Sequence, residues 1–240
     1  VSGAQPFQAP DNNQGSDHAV AGLFMLTERT VSGLHAHLFE LLCSHVEMSP
    51  RMRVLDIGCG TGAWLKRLSA LGITSLVGLD YVQPQPVIGL DLRHFDINAD
   101  DPATLGKHDV VTCIEVIEHI ENIGKLLDLV EQSMGVNGIA VITTPNVESL
   151  RARVRALFTG KLPSFDNKGD PTHLFPVLYE SLQKMLARRG LKVMSVHQYP
   201  EDVFESRMYG KAVNRASHVM RLVLPDAMYG DNVIYYIKRN

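Results

Sequence analysis

Short apolar runs alternate with amphipathic stretches along the middle of the chain. Five runs have the length and β-branched composition of strands: residues 53–57, 75–79, 92–97, 108–114 and 138–144. Apolar residues recur at helical spacing over residues 63–71 and 122–134. The run at 108–114 is almost wholly apolar, as expected of a strand buried on both faces. This alternation predicts an α/β fold with a doubly wound sheet that is mainly parallel.

The two ends of the chain extend this pattern. Residues 1–15 are rich in Gln, Asn, Pro and Gly without periodicity and predict a mobile tail, which leaves one domain over residues 16–240. Residues 16–50 predict N-terminal helices, and residues 145–172 predict an insertion over the active site. The remaining predicted elements are helices over 177–189 and 206–222 and strands over 191–197 and 232–238.

Val54 to Gly62 joins the first predicted strand to the first helix after it. The stretch reads Val-Leu-Asp-Ile-Gly-Cys-Gly-Thr-Gly, and its glycines allow a sharp turn and a close approach of the backbone to a ligand. A strand, a glycine turn and a helix are typical of nucleotide-binding βαβ units. Asp80 ends the second predicted strand, where such folds bind ribose hydroxyls; Asp91 ends a similar string and is the alternative.

Composition narrows the class of ligand. The 240-residue chain is 45% hydrophobic and 20% charged with a formal net charge of −3, so it lacks the basic excess of proteins that bind nucleic acid with their whole surface. We therefore expect a small-molecule partner and no nucleic acid. Cys43, Cys59 and Cys113 show no metal-ligand spacing and predict buried thiols in a reducing compartment. Without a membrane span or a signal pattern, a cytoplasmic protein is expected; the oligomeric state stays open, a dimer included.

Further motifs accompany the glycine turn at the ends of later strands. These are Asp80, Phe95-Asp96, Glu115-Val-Ile-Glu-His119 and a late strand of antiparallel type. Together they resemble the class I S-adenosylmethionine-dependent methyltransferases over residues 53–196, and are most similar to small-molecule O-methyltransferases of the ubiquinone-pathway type. The resemblance implies a Rossmann-like seven-stranded sheet with the last strand antiparallel and helices on both faces.

Asp56 separates two cofactors that such a turn can serve. The string from Gly58 to Ala63 also fits a nicotinamide dinucleotide motif, but Asp56 lies where a dinucleotide places its doubly negative diphosphate, and like charges repel. S-adenosylmethionine carries an ammonium and a sulfonium instead, so an acidic residue favours it. Asp56 also fits a second role, in which it caps N–H groups of the turn itself.

The resemblance also assigns the residues of the cofactor pocket, with S-adenosylmethionine as methyl donor and S-adenosylhomocysteine as product. The methionine end is expected on Asp56, Gly58, Cys59, Gly60 and Thr61. The other assignments are Asp80 for the ribose, Asp96, Ile97 and Tyr81 for the adenine, and Glu115 and Val116 beside the reactive methyl.

The segment after the fourth strand predicts the acceptor chemistry. A hydroxyl acceptor has to lose its proton, and His119 is the first predicted base, with His173 as the second. Glu118 would orient that base or bind the substrate, and a packing role is the alternative for either histidine. We expect O-methylation of a metabolite, a saccharide or a secondary-metabolite intermediate.

Two alternative functions stay open. Glu115, Glu118, His119 and His173 match the Glu-x-x-Glu-His plus distant His pattern of metal-dependent small-RNA 2′-O-methyltransferases. The match is partial, because the second histidine and the aromatic-rich segment that flank the distant histidine in that family are missing here. The main interpretation therefore needs no metal. A non-catalytic module that binds the cofactor is the other alternative.

Basic residues mark the predicted insertion. They are Arg151, Arg153, Arg155 and Lys161. Such residues either contact an anionic substrate or form the solvated face of a helix.

Overall fold

A computed structural model describes residues 26–200 and 229–240 of the chain. Seven strands form one sheet in the order β3-β2-β1-β4-β5-β7-β6. They are β1 (Arg53–Ile57), β2 (Ser75–Asp80), β3 (Asp91–His94), β4 (His108–Ile114), β5 (Met134–Pro145), β6 (Leu191–Tyr199) and β7 (Asn232–Arg239). The helices are α1 (Leu34–His45), α2 (Ala63–Ser69), α3 (Ile123–Ser133), α4 (Leu150–Thr159) and α5 (Tyr179–Ala187), with 3-10 turns at Pro102–Leu105 and Ile117–His119.

The direction of the strands fixes where a ligand site can form. Neighbouring strands from β3 to β5 pair in parallel, whereas β7 pairs antiparallel with both β5 and β6. The carboxyl ends of the parallel strands therefore meet at one edge of the sheet. Since Asn232 pairs with Pro145, the beginning of β7 lies at this same edge. The predicted seven-stranded topology with an antiparallel last strand is confirmed.

Two apolar clusters cover the two faces of the sheet. One packs α1 and α2 against strand residues such as Val54 and Val110, and the other packs α3 and α5 against their neighbours Leu55 and Val111. Adjacent strand residues point to opposite faces, so a strand buried on both sides reads as a continuous apolar run. The doubly wound arrangement predicted from the sequence follows from this pattern.

Several boundaries differ from the prediction. Within the described residues the N-terminal helix begins only at Leu34, because Gly33 has a φ of 87° and interrupts the backbone there. β3 stops at His94, and the chain turns as the Asp96 N–H donates to the Asp100 carboxylate. β5 begins at Met134 with an irregular register beside His108. The predicted tail and the helix over 206–222 lie outside the described residues.

The basic helix of the insertion differs most from the sequence interpretation. Arg151 is completely buried; it donates to the Tyr229 carbonyl (2.9 Å) and lies 4.0 Å from Asp231. Because it is buried, Arg151 neither contacts a substrate nor forms the solvated face of a helix. It connects α4 to the segment before β7. Arg155 pairs with Asp166, and Arg153 is largely exposed. In the described parts of the chain, no helix is both long and apolar enough to cross a membrane.

Candidate functional site

The glycine turn between β1 and α2 is shaped by backbone that other residues rarely adopt. Gly58, Gly60 and Gly62 have φ values of 76°, 52° and 80°. A side chain at Gly58 would also overlap Val116, which lies directly against it. Glycine is thus required at Gly58 for two independent reasons, and the turn and the segment after β4 are in contact.

Most N–H groups of this turn already have acceptors within the protein. Gly58 and Cys59 donate to the Leu79 carbonyl, and Gly62 donates to the Cys59 carbonyl. The Gly60 N–H donates to Asp80 (2.8 Å). The turn consequently lacks the row of free donors that a diphosphate needs, and this argues against a dinucleotide. Cys59 itself is buried in the core, and burial raises the pKa of its thiol.

Asp80 and Asp91 are separated by the structure. Asp80 ends β2 at the carboxyl edge of the sheet, while Asp91 begins β3 and pairs in register with Val77, in the middle of β2. Asp91 binds Arg93 there, at 2.5 Å. Each oxygen of Asp80 accepts one backbone N–H, from Gly60 and Val82, which leaves lone pairs for ligand hydroxyls. Of the two acidic residues, only Asp80 lies at the carboxyl end of its strand, beside the glycine turn.

Asp56 lies beneath the turn, almost fully buried. Its carboxylate accepts a hydrogen bond from the Thr112 hydroxyl (2.6 Å), and no glycine N–H donates to it. Capping of the turn, the second role considered for Asp56, therefore falls to Asp80. Burial, aided by the charge of Asp80, raises the pKa of Asp56 to about 7 against the effect of the Thr112 hydrogen bond. Because burial disfavours its negative charge, the carboxylate gains from a cation bound next to it.

The residues predicted for the adenine lie beyond β2 and β3. Tyr81 is 71% exposed, and its ring lies 6.1 Å from that of His94. Asp96 accepts the Asn98 N–H, and Ile97 is half-buried against the core. These side chains line the same edge as Asp80, because the Phe95 N–H donates to the Asp80 carbonyl.

Glu115 is held by two strands at once. Its carboxylate accepts hydrogen bonds from the Thr143 hydroxyl (3.0 Å) on β5 and from the Asn232 amide (2.7 Å) on β7. Its φ of 54° lies in the left-handed region, and the Thr143 hydroxyl also accepts its N–H. Burial raises the pKa of Glu115 to about 7. These hydrogen bonds hold the Glu115 side chain in place beside Val116.

Glu118, His119 and His173 form a separate cluster. One ligand atom from each lies within 4.8 Å of the others, and the two imidazole rings meet edge to face with centroids 4.7 Å apart. The Leu174 and Phe175 N–H groups donate to the Glu118 carbonyl, which joins the segment just after the insertion to the 3-10 turn after β4. Glu115 is not part of this cluster, so three of the four residues considered as metal ligands come together.

The two histidines are held through the same ring nitrogen. His119 Nδ1 lies 3.1 Å from the Thr172 carbonyl oxygen, and His173 Nδ1 lies 2.9 Å from the Ser164 carbonyl oxygen. Because a carbonyl can only accept, each Nδ1 carries the proton and each Nε2 is unprotonated in the neutral ring. Burial, and then the neighbouring His119, lowers the pKa of His173.

Glu118 has an unusual environment for a carboxyl group. It is fully buried, and neither oxygen has a hydrogen-bond partner among the described residues. Burial, with Glu115 as the second cause, raises its pKa to about 9 against the lowering effect of the nearby Thr144 hydroxyl, which does not reach hydrogen-bond geometry. One carboxylate and two imidazoles whose Nδ1 atoms bind carbonyls fit a divalent transition metal, although side-chain rotation has to close the set to ligand spacing.

Several residues of the site have no signal in the sequence. These are Thr112, Thr143, Ser164, Thr172 and Asn232. Each contacts a predicted residue across a large separation in sequence or through its backbone. Only the strand pairing and the path of the insertion reveal them.

Comparisons with known proteins point to one family. The family model described as a methyltransferase domain matches residues 34–196. The chain is 29% identical over 118 residues to the ubiquinone biosynthesis O-methyltransferase of Rickettsia canadensis, covering 46% of this chain and 50% of that protein. It is 26% identical over 219 residues to the mitochondrial ubiquinone biosynthesis O-methyltransferase of Rattus norvegicus, covering 84% of this chain and 63% of that protein.

A solved structure shares the fold. The SAM dependent methyltransferase from Archaeoglobus fulgidus superposes with a TM-score of 0.58 at 23% identity, over 86% of this chain and 94% of that one. The chain spans between 50% and 63% of the length of the two curated relatives above. The family match over most of the chain, the strand order and the glycine turn show that the chain belongs to the class I S-adenosylmethionine-dependent methyltransferases.

Proposed function

We propose that the protein transfers the methyl group of S-adenosylmethionine to a hydroxyl oxygen of a small molecule. The observation that carries this proposal is the convergence of Glu118, His119 and His173 just beyond β4. In an open α/β sheet the carboxyl ends of the strands line the ligand crevice, and the glycine turn and Asp80 lie at this edge too. A proton acceptor would therefore lie at the edge where the methyl donor is proposed to bind.

Asp56, the glycine turn and Asp80 form a wall at the carboxyl edge of the sheet, and this wall would hold the methyl donor. Asp56 would attract the ammonium of the methionine end, and Gly58, Gly60 and Thr61 would line it. Asp80 would accept from the ribose hydroxyls with its remaining lone pairs. Asp96, Ile97 and Tyr81 would border the adenine, and Val116 would lie beside the methyl group.

Methyl transfer itself needs alignment and the removal of one proton. The acceptor hydroxyl proton would move to Nε2 of His119 as the oxygen attacks the methyl carbon. The carbon–sulfur bond breaks, and its electron pair stays on sulfur, giving S-adenosylhomocysteine. His173, edge to face with His119, is the second base. Buried Glu118 would orient the acceptor.

A second proposal uses the same three side chains as metal ligands. Glu118, His119 and His173 would hold a divalent ion, which would supply Lewis-acid lowering of the acceptor hydroxyl's pKa. Support comes from the unpartnered Glu118 oxygens and from the carbonyl partners of both Nδ1 atoms, an arrangement common around ligating histidines.

A small hydroxyl compound fits the surface better than RNA. Three of the four basic residues in the insertion have partners within the protein: Arg151, Arg155 and Arg153, which lies 3.7 Å from Glu148. Among the described residues this leaves Lys161 for an anionic substrate. The net charge of −3 adds no general attraction for phosphates. The names of the ubiquinone biosynthesis O-methyltransferases support a hydroxyl acceptor.

Transfer of a labelled methyl group tests these proposals. The protein would be incubated with [methyl-13C]S-adenosylmethionine, a panel of phenols, saccharides and an RNA oligonucleotide, with EDTA or with added zinc or magnesium. We expect labelled methyl ether on a small molecule, abolished in His119→Ala and retained in the matched control His45→Ala on α1. Label on RNA alone, or no label together with no binding of S-adenosylhomocysteine, would contradict the proposal. Sensitivity of the wild type to EDTA decides for the metal.

We propose that the protein lies in the cytoplasm, as the sequence analysis predicts. Cys59 and Cys113 are buried free thiols, as predicted, whereas Cys43 is exposed, contrary to the prediction. Free thiols suit a reducing compartment.

A further inference from the structure

We propose that Ser164 and Gly169 are positioning residues that set the tautomer and the orientation of His173. This inference rests on the proposed function only for its consequence in methyl transfer. Within residues 26–200 and 229–240, the non-glycine residues with positive φ are Glu115 and Ser164, at 54° and 66°. Both flank the cluster of Glu118, His119 and His173, and strained backbone of this kind is retained where a site needs it.

The conformation of Ser164 aims its carbonyl at one ring atom. The Ser164 carbonyl oxygen accepts from Nδ1 of His173 at 2.9 Å. A residue in the ordinary helical or extended regions would direct that carbonyl elsewhere, because rotation about φ and ψ reorients the peptide plane. The left-handed backbone of Ser164 is therefore the cause of the hydrogen bond that holds the imidazole.

Gly169 makes room for the same carbonyl. A Cβ atom at Gly169 would overlap the carbonyl oxygen and carbon of Ser164, which are backbone atoms and cannot move aside cheaply. Gly169 itself is fixed by donation of its N–H to the Asp166 carbonyl (2.9 Å). Its φ is not positive, so its requirement for glycine comes from this close approach alone.

The consequence is a defined free nitrogen in the cluster. Neutral imidazole in water prefers the proton on Nε2, whereas the Ser164 carbonyl places it on Nδ1 and leaves Nε2 with its lone pair. Thr172 gives His119 the same arrangement, since its carbonyl and hydroxyl both lie at Nδ1 and its hydroxyl donates to Asp170. The carbonyls of Ser164 and Thr172, both in the insertion, therefore leave two Nε2 lone pairs beside Glu118, available to take a proton or a metal.

Nitrogen-15 NMR of the histidines tests the proposal without any substrate. Long-range 1H–15N spectra of the 240-residue chain, EDTA-treated and histidine-labelled, would be recorded at a pH where the rings are neutral, with His173 assigned by His173→Gln. We expect the Nδ1–H pattern for His173 in the wild type. Ser164→Val, whose β-branched side chain opposes positive φ, and Gly169→Ala should both shift it toward Nε2–H. Ser164→Gly, which keeps positive φ, should retain the wild-type pattern.

Gly160→Asn serves as the matched control, because Gly160 also has positive φ (66°) in the insertion but nothing lies near its Cβ position. If transfer activity is present, kcat should fall about 10- to 100-fold in Ser164→Val and Gly169→Ala with the KM for S-adenosylmethionine unchanged. An unaltered His173 pattern in both variants, with the fold intact by circular dichroism, would overturn the proposal. A wild type with the Nδ1–H pattern but no transfer would instead contradict the proposed function alone.

Discussion

The glycine turn and the histidine cluster lie at the same edge of the sheet but treat their polar groups in opposite ways. In the turn, the N–H groups of Gly58, Cys59 and Gly60 all have acceptors, and Asp80 is held by two backbone donors. In the cluster, both oxygens of Glu118 lack partners among the described residues. Satisfied groups make a rigid wall, and unsatisfied buried groups are expensive unless a ligand or a reaction uses them.

The difference suggests a division of labour between binding and chemistry. The wall is built by the strand ends of β1 and β2, which the parallel pairing fixes in place. The cluster is assembled from two segments far apart in sequence, the turn after β4 and the chain around His173. Hydrogen bonds to the Glu118 carbonyl join them. Variants of the wall should alter cofactor affinity, whereas variants of the cluster should alter turnover.

The largest effect is expected from His119→Ala. Loss of the base should lower kcat by about 10²- to 10⁴-fold, while the dissociation constant of S-adenosylhomocysteine stays within a factor of about two. Steady-state kinetics and calorimetry measure the two quantities. A large loss of cofactor affinity would show that the two regions are one.

Unlike His119→Ala, Asp80→Asn should change cofactor affinity. Removal of the charge proposed to bind the ribose hydroxyls should lower the affinity for S-adenosylhomocysteine by about 10- to 100-fold, since hydrogen bonds to a charged group are worth about 1.5–3 kcal/mol. Asp91→Asn is the matched control, because Asp91 begins β3 away from the carboxyl ends of the strands and binds Arg93. Equal losses in both variants would contradict the assignment of Asp80.

Asp56 should make donor binding depend on pH. Its pKa is raised to about 7, so the folded protein holds a proton there that the unfolded chain releases near pH 3.8, and this residue lowers stability as pH rises through that window. Because the ammonium favours the ionised form, affinity for S-adenosylmethionine should fall by up to about tenfold per unit below pH 7. Calorimetry from about pH 5.5 to about pH 8, a range on both sides of this pKa, measures the dependence.

Asp56→Asn provides the control for that dependence. The variant should bind more weakly at pH 8 with a flat profile below it, yet unfold at a higher urea concentration at pH 8 than the wild type. A wild-type profile that the substitution leaves unchanged would remove Asp56 from the pocket.

The smallest effect is expected from Thr61→Val. The Thr61 hydroxyl donates to the Thr27 carbonyl (2.9 Å), so it pins the segment before α1 to the turn. Its loss should lower the free energy of unfolding by about 1 kcal/mol and change cofactor affinity less than fivefold, about the worth of one partly exposed hydrogen bond. Urea unfolding and calorimetry distinguish this from a hydroxyl that binds the ligand directly, whose loss would weaken affinity more than stability.

The wall was largely predictable from the sequence. The glycine turn, its strand and the ribose carboxylate follow from spacing and from strand patterns, because each lies within one βαβ unit. The choice between Asp80 and Asp91 needed the register, since similar strings precede both residues. Asp56 was predicted to meet the ligand, but its partner Thr112 lies on β4 and only strand pairing reveals it.

The cluster was predictable only in its members. His119 and His173 could be named from their residue types, but their contact depends on N–H groups of Leu174 and Phe175 that bind the Glu118 carbonyl. Backbone acceptors such as the Ser164 carbonyl leave no trace in residue identity. Arg151 shows the converse: a basic helical position that reads as surface is buried, because Tyr229 and Asp231 come from the far end of the chain.

Calorimetric titration of S-adenosylhomocysteine into the wild type and into the triple variant Glu118→Gln/His119→Ala/His173→Ala tests the central division most directly. The account predicts binding of the same, micromolar-range affinity (about −8 kcal/mol) to both proteins, with methyl transfer lost in the variant. No binding to the wild type, or binding that disappears in a folded triple variant, would contradict it.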